Sequence, residues 1–153
     1  MHNKIIMMTA IFREATEEDI EAIFAVRVSV RENHMSHAQL DARGITPHSI
    51  AASMQEDLGT WVSECDGKIV GFSMAQAGDG RIFALFVLPE YEGRGIGKKL
   101  LNMAVSWLRG LRVPTAWLTT DVGTRAEIFY KRQEWAACGV NKHGEIRFEL
   151  DLE

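Results

Sequence analysis

The sequence predicts an α+β protein built on a mixed, mostly antiparallel sheet of about seven strands, with four helices. Segments with strand-like and helical spacing follow one another in the order β-α-α-β-β-β-α-β-α-β-β. Asp66–Gly67 joins two apolar runs, which is typical of an antiparallel hairpin. The chain has 153 residues, 46% of them hydrophobic, as expected for one globular domain. We expect residues 1–9 to form a frayed tail and residues 10–153 to form the domain.

Charge and hydropathy exclude several classes of protein. The formal net charge is −4, so bulk charge does not indicate a nucleic-acid partner and mildly favours a cationic substrate. No run approaches 18 apolar residues, and the N-terminus lacks a convincing signal peptide. We therefore expect a cytoplasmic protein without a membrane partner. Cys65 and Cys138 lie in apolar, strand-like runs, and we expect both to be buried free thiols.

The first part of the chain predicts one strand and two helices. We expect a strand at residues 10–15 and, after a capping-box pattern, a helix that continues to about Arg31. Residues 32–46 are polar and aperiodic, so they form the longest predicted loop. Thr46–Pro47 favours a second helix, with threonine as its N-cap and proline in its first turn, ending at Gly59.

The rest of the chain predicts six further strands and two further helices. Glycine-containing turns separate most of the strands, and the last helix opens with a second capping-box pattern at Thr124. The strands are expected at residues 60–65, 68–76, 81–88, 114–120, 135–140 and 145–150, and the helices at residues 95–109 and 124–131.

A glycine-rich turn joins the fourth strand to the third helix. Three glycines at alternate positions are accompanied by three basic residues: Gly93, Gly95, Gly97, Arg94, Lys98 and Lys99. The first amides of a helix lack intrahelical acceptors and the helix dipole adds positive charge, so this turn predicts an anion site. It fails the P-loop pattern, because Lys99 follows Gly97–Lys98. It also fails the GxGxxG pattern, because Lys98 or Leu100 occupies the last glycine position.

The turn resembles motif A of the GNAT superfamily of N-acetyltransferases, in which turn amides hold the pyrophosphate of acetyl-CoA. The similarity rests on Val87, Pro89, Gly95 and Gly97, which match a strand ending V-x-P followed by GxG. Glu92 departs from the motif, because the family prefers glutamine or arginine there. An acidic side chain so close to a pyrophosphate is unfavourable unless it points away.

A second stretch resembles motif B of the same superfamily. Ala126, Phe129, Tyr130 and the aromatic Trp135 match it, whereas glycine replaces the usual asparagine at position 123 and glutamate the usual glycine at position 134. The predicted order of elements also resembles the GNAT fold over nearly the whole chain. The resemblance implies that the fourth and fifth strands splay apart.

The resemblance implies an acetyl-CoA-dependent N-acetyltransferase that moves an acetyl group to an amine by direct attack on the thioester. A non-catalytic, CoA-binding regulatory module of the same fold is the alternative. No metal is expected: His34 and His37 are three residues apart, but no third ligand lies nearby in sequence. The implied cofactor-binding residues are Leu85, Phe86, Val87, Gly93, Arg94, Gly95, Ile96, Gly97, Lys98 and Lys99.

Two residues are candidates for proton transfer. Tyr130 is the expected general acid for the departing thiolate, because a phenol is protonated at pH 7; packing of its helix onto the sheet is the alternative. Asp121, at the end of the fifth strand, is the expected base that keeps the amine neutral, and a cap for the following turn is the alternative. Glu32 and His34 are further candidates for the base.

The acceptor is expected to be a small-molecule or peptide amine bound by the end of the first helix and the loop after it. The expected acceptor-binding residues are Arg31, Glu32, Asn33 and His34. Arg27 and Arg31 could bind a substrate carboxylate or form ion pairs on a solvated face. The sequence leaves the choice between monomer and homodimer open.

Overall fold

The computed structural model describes residues 9–153, so the expected tail, apart from Thr9, lies outside the described residues. This range forms seven strands and five helices in the order β1-α1-α2-α3-β2-β3-β4-α4-β5-α5-β6-β7. The strands are β1 (Ala10–Glu14), β2 (Leu58–Cys65), β3 (Lys68–Gln76), β4 (Ile82–Val87), β5 (Thr115–Asp121), β6 (Ala136–Val140) and β7 (Glu145–Asp151). The helices are α1 (Ile20–Ser29), α2 (His37–Ala42), α3 (Pro47–Met54), α4 (Ile96–Gly110) and α5 (Arg125–Arg132).

The strands form two antiparallel sheets that separate between β4 and β5. One sheet has the order β1-β2-β3-β4, and the other has the order β5-β7-β6. Across the described residues the sheets are joined by one parallel bridge, Arg81 with Trp117, where the Trp117 amide donates to the Gly80 carbonyl at 3.0 Å. Beyond this bridge β4 and β5 diverge. The predicted mixed, mostly antiparallel sheet and its splay between the fourth and fifth strands are confirmed.

Helices cover both faces of the four-stranded sheet. Helix α4 packs on β2 and β3, where Leu100 is fully buried and its carbonyl accepts a hydrogen bond from Ser73 Oγ at 3.0 Å. Phe72, next in sequence to Ser73, points to the opposite face, against which α1 packs. None of the helices between residues 9 and 153 has the length and apolar character needed to span a lipid bilayer.

An ion-pair cluster holds the start of α1 against the first two strands. Arg13 of β1 pairs with Asp19 at 2.8 Å and with Glu64 of β2 at 2.7 Å. The Asp19 carboxylate also accepts from the Thr16 amide at 2.8 Å, which confirms the first predicted capping box. The Arg13 guanidinium lowers the pKa of Asp19, so this carboxyl stabilises the fold above its unfolded pKa and loses that effect as the pH falls.

The predicted loop at residues 32–46 is wrong in part, because it contains the short helix α2. Ser36 caps this helix: its Oγ accepts from the Gln39 amide at 3.1 Å, and Gln39 Oε1 accepts from the Ser36 amide at 2.8 Å. The S-x-x-Q pattern at residues 36–39 is therefore a capping-box signal that sequence analysis could have used.

Two further expectations are corrected. Gly59 does not end a helix but lies within β2, where a Cβ atom would come within 2.6 Å of Trp61 and 2.9 Å of Trp107. Glycine is needed there because the two indoles pack against the strand. Cys65 is buried as expected, whereas Cys138 is exposed, because β6 pairs with β7 and leaves its residues at the surface.

Gly80 permits the close approach at the point where the sheets meet. Its φ is +79°, and a Cβ atom there would lie 2.3 Å from the Thr115 carbonyl oxygen. A side chain at this position would meet rigid backbone rather than a flexible neighbour. Glycine is therefore required by both the backbone conformation and the contact.

Gly80→Ala should destabilise the fold by about 2–4 kcal/mol, through left-handed strain and a steric clash with β5. Gly78→Ala is the matched control in the same turn, because the nearest atom to its Cβ would be Asp57 Oδ2 at 3.8 Å. Urea unfolding of the two variants measures the difference. Equal stability of both would show that the contact between Gly80 and Thr115 does not constrain the junction.

Candidate active site

A cleft of about 360 Å³ opens where β4 and β5 separate, on the α1 side of the sheet. One wall is apolar, with Phe24 of α1, Phe72 of β3 and Phe86 of β4 among its side chains. The opposite wall is the end of β5, from Thr119 to Asp121. The volume lies within the ordinary range of small-molecule sites, about 300–1,000 Å³.

The glycine-rich turn lies at the far end of β4. A 3-10 turn at Pro89–Tyr91 precedes it, and Gly93 and Gly95 have φ values of +77° and +82°. Cβ atoms at both positions would meet open space. In the described chain, the amides of Gly95, Ile96, Gly97 and Lys98 have no protein acceptor; the amide of residue 99 is the first to bond within the helix, to the Gly95 carbonyl. The turn thus offers a concave group of amide donors at the start of α4.

The three basic residues of the turn are exposed. Arg94 Nη2 donates to the Glu90 carbonyl at 3.1 Å, and the guanidinium lies 5.0 Å from the centre of the Tyr91 ring. The Lys99 ammonium lies 4.6 Å from the centre of the Phe12 ring of β1. These residues add positive charge around the amide donors, so the turn suits an anion.

Glu92, which departs from motif A, is engaged by a residue of α5. Its carboxylate pairs with the Arg125 guanidinium. The Arg125 amide donates to Glu32 Oε1 at 2.9 Å, so Glu32 caps the start of α5. These contacts connect the loop after α1, the turn before α4 and the start of α5 around the open end of the splay. Glu32 is a structural link between two of them.

Within the described residues, the edge of β4 that faces the splay carries backbone groups without hydrogen-bond partners. The Leu88 amide donates to the Val70 carbonyl at 2.8 Å, and hydrogen-bonded residues alternate along an antiparallel pair. Phe86 is therefore bonded to β3, and its ring lines the cleft. Leu85 and Val87 direct their backbone groups away from β3, toward the side from which β5 has separated.

Tyr130 is buried between α5 and the three-stranded sheet. It is 5% exposed, and its ring centroid lies 5.6 Å from that of Trp135 and 5.8 Å from that of Phe148. It does not line the cleft described above. Burial raises the pKa of the Tyr130 phenol, so the group is fully protonated at neutral pH.

Two carboxylates lie at the mouth of the cleft. Asp121 of β5 is exposed and lines it, and its main-chain carbonyl accepts from Thr124 Oγ1 at 2.9 Å. Glu145 of β7 is the direct cross-strand partner of Asp121 and also lines the cleft. Sequence analysis missed Glu145, because only the pairing of β5 with β7 brings it beside Asp121.

The expected acceptor residues separate into two groups. Asn33 and His34 line the cleft, and His34 Nδ1 lies 3.0 Å from the Val30 carbonyl oxygen. Arg31 is exposed and, like Glu32, does not line it. His37 stacks on Phe24 with ring centroids 6.5 Å apart, and residues 9–153 contain no cluster of three metal-ligating side chains.

Three arginines line the cleft, of which sequence analysis singled out one. Arg27 comes from α1, Arg43 follows α2, and Arg81 precedes β4. Burial and the nearby charge of Arg43 lower the pKa of Arg27. Arg43 and Arg81 carried no sequence signal, because they are far from Arg27 in the chain and become its neighbours only in the fold.

The buried phenol should ionise late in an absorbance titration. In a Tyr91→Phe variant, which leaves Tyr130 as the sole tyrosine, the midpoint should exceed the ordinary value of about 10 in the folded protein. The urea-unfolded variant is the control and should titrate near the ordinary value. Because the folded state holds the proton more tightly, this group should reduce stability as the pH rises above about 10. A folded midpoint at or below the unfolded one would contradict the burial.

Sequence comparison finds relatives among acetyltransferases. A mycothiol acetyltransferase of Streptomyces avermitilis is 29% identical over 124 residues, which cover 78% of this chain and 40% of that protein. An uncharacterized N-acetyltransferase of Archaeoglobus fulgidus is 29% identical over 133 residues, which cover 80% of this chain and 90% of that protein. The chain thus spans less than half the length of the mycothiol acetyltransferase.

The fold is shared with solved structures. The PaiA N-acetyltransferase of Thermoplasma acidophilum, solved in complex with coenzyme A, has a TM-score of 0.79 at 16% identity, covering 94% of this chain and 99% of that one. The family model described as Acetyltransferase (GNAT) family matches residues 31–135, which is more than half of the chain. The chain belongs to the GNAT family of N-acetyltransferases.

Proposed function

We propose that this protein transfers an acetyl group from acetyl-CoA to an amine by direct attack of the amine on the thioester. The observation that carries the proposal is the junction of β4 and β5. The strands separate just beyond Arg81 and Trp117, which leaves a cleft beside a strand edge that ends in the amide-lined glycine turn. An extended thioester along this edge has an anion site at one end and an acceptor cleft at the other.

The glycine turn holds the pyrophosphate. Among residues 9–153 the amides of residues 95–98 have no protein acceptors, and Gly93 and Gly95 leave open space where a Cβ would intrude. Arg94, Lys98 and Lys99 neutralise its charge. The backbone groups of Leu85 and Val87 bind the amides of the pantetheine arm, while the Phe86 ring forms the floor of the acceptor cleft.

The chain's own groups then serve the transfer step. Acetyl-CoA supplies the acetyl group as a thioester; the amine nitrogen forms a bond to its carbonyl carbon and the bond to sulfur breaks. A main-chain amide of β4 donates to the carbonyl oxygen as negative charge develops on it. Asp121 or Glu145 accepts the proton that the amine loses, and Tyr130 donates a proton to the leaving sulfur.

Gly95→Glu should weaken acetyl-CoA binding about 100-fold or more, because a carboxylate would stand against the pyrophosphate. Gly144→Glu is the matched control: Gly144 has nearly the same φ, +78° against +82°, and equally open surroundings in the β6–β7 turn. Calorimetry with acetyl-CoA measures both. Equal affinities for the two variants would place the pyrophosphate elsewhere.

Tyr130→Phe removes one oxygen and keeps the packed ring, so acetyl-CoA affinity and folding stability should change little. If Tyr130 protonates the thiolate, kcat should fall by roughly 10²–10⁴-fold. Thiol release in the presence of an amine panel measures kcat. An unaltered kcat and pH profile would assign Tyr130 to packing alone. If the protein binds acetyl-CoA but releases thiol with none of the amine classes, the result would favour the non-catalytic, CoA-binding regulatory module.

A further inference from the structure

The cleft holds two buried guanidinium nitrogens that the fold leaves without hydrogen-bond acceptors. They are Nη1 of Arg27 and Nε of Arg81. Both residues line the cleft, from opposite elements: Arg27 from α1 and Arg81 from the start of β4. No atom within residues 9–153 accepts a hydrogen bond from either nitrogen. Buried donors are normally satisfied, so a pair of them in one cavity indicates a missing acceptor.

Aromatic rings hold both guanidinium groups in place. The Arg27 guanidinium lies 4.2 Å from the centre of the Phe86 ring. The Arg81 guanidinium lies 5.4 Å from the centres of both the Phe83 and Trp117 rings. Ring faces attract a cation but leave its in-plane N–H groups free. Both side chains are therefore positioned while their donors stay available.

The charges around the cleft favour a monoanion. Among the described residues, no ion pair involves Arg27, Arg43 or Arg81, although other arginines are paired. Asp121 and Glu145 are the carboxylates of the lining, and Glu145 accepts instead from Asn141 Nδ2 at 3.0 Å. Three cationic and two anionic side chains leave one net positive charge.

We propose that the acceptor amine also carries a carboxylate, which binds between Arg27 and Arg81. This inference rests on the proposed acetyl transfer and specifies its substrate class as amino acids and related amino carboxylates. A carboxylate accepts the charge-assisted hydrogen bonds that guanidinium groups donate, and its single charge matches the net charge of the lining. The amine end then faces Asp121 and Glu145, whose negative charge attracts an ammonium group.

Matched acceptor pairs test the inference. Each of the standard amino acids is compared with its own carboxamide, which keeps the amine and side chain and removes the charge. We expect at least one amino acid to be acetylated with a kcat/KM at least 10-fold above that of its carboxamide. Aminoalkyl phosphates form a third arm, and a preference for them over every amino acid would overturn the assignment to a carboxylate.

Variants locate the origin of the preference. Arg27→Met and Arg81→Met should each reduce the ratio of kcat/KM for acid over carboxamide at least 10-fold, mainly through KM. Arg27→Lys should retain part of the ratio, because it keeps the charge. Arg132→Met is the control, since Arg132 is exposed at the end of α5 and does not line the cleft. A ratio that survives both methionine variants overturns the inference.

Folding stability separates substrate binding from a structural role. Because neither free nitrogen has a partner in the described part of the chain, Arg27→Met should keep or raise the melting temperature, whereas loss of a structural ion pair would lower it. Arg81→Met gives an independent test if one variant misfolds. A marked drop in melting temperature for both would identify them as structural residues and overturn the inference.

A binding assay distinguishes failure of this inference from failure of the proposed function. N-acetyl amino acids and their carboxamides are titrated into the protein with coenzyme A present. Tighter binding of the acids, lost in Arg27→Met, supports carboxylate recognition even if no amine is acetylated. Acetylation of amines without any preference for acids, or equal binding of acids and carboxamides, leaves the acetyl transfer intact and overturns the carboxylate site.

Discussion

The structure depends on one junction, where Arg81, just before β4, pairs with Trp117 of β5 before the two strands separate. Gly80 allows the approach, because any side chain there would clash with the Thr115 carbonyl. Trp117 secures it twice, through its amide to Gly80 and through its indole Nε1 to the Asp79 carbonyl at 3.1 Å. Since both strands have partners on their other edges, the separation costs few hydrogen bonds, and it leaves a backbone edge that a ligand can pair with.

The same junction organises the cleft. Arg81 belongs to the bridge itself, so its guanidinium is fixed at the narrow end of the splay, against Phe83 and Trp117. The wide end is bordered by the glycine turn and the start of α5, which Arg125 links through Glu92 and Glu32. Glu92, whose charge is unfavourable beside a pyrophosphate, is thus paired with the guanidinium of Arg125. A ligand along β4 would lie between Arg81 at the start of this strand and the glycine turn after its end.

Sequence patterns were sufficient for several segments that determine their own conformation. The type I′ hairpin at Asp66–Gly67, with both φ values positive, and the amphipathic α4 are local properties. The six-residue α2 was not predicted, because its capping box is followed by too few apolar positions to show a helical period. The positions of Glu145 and Arg81 in the cleft were not predicted, for a different reason. Their roles arise from strand pairing and from packing between distant segments, which no local pattern records.

Net charge illustrates the same limit in the cleft. The chain has 21 acidic against 17 basic residues, which by itself mildly favours a cationic ligand, yet the lining of the cleft carries the opposite charge balance. With carboxylates in excess, the free nitrogens of Arg27 and Arg81 do not reflect a shortage of acceptors. Arg13, Arg125 and Arg147 all find carboxylates elsewhere. Leaving buried guanidinium donors unpaired destabilises a fold, and the proposed carboxylate of the acceptor would supply the missing hydrogen-bond acceptors.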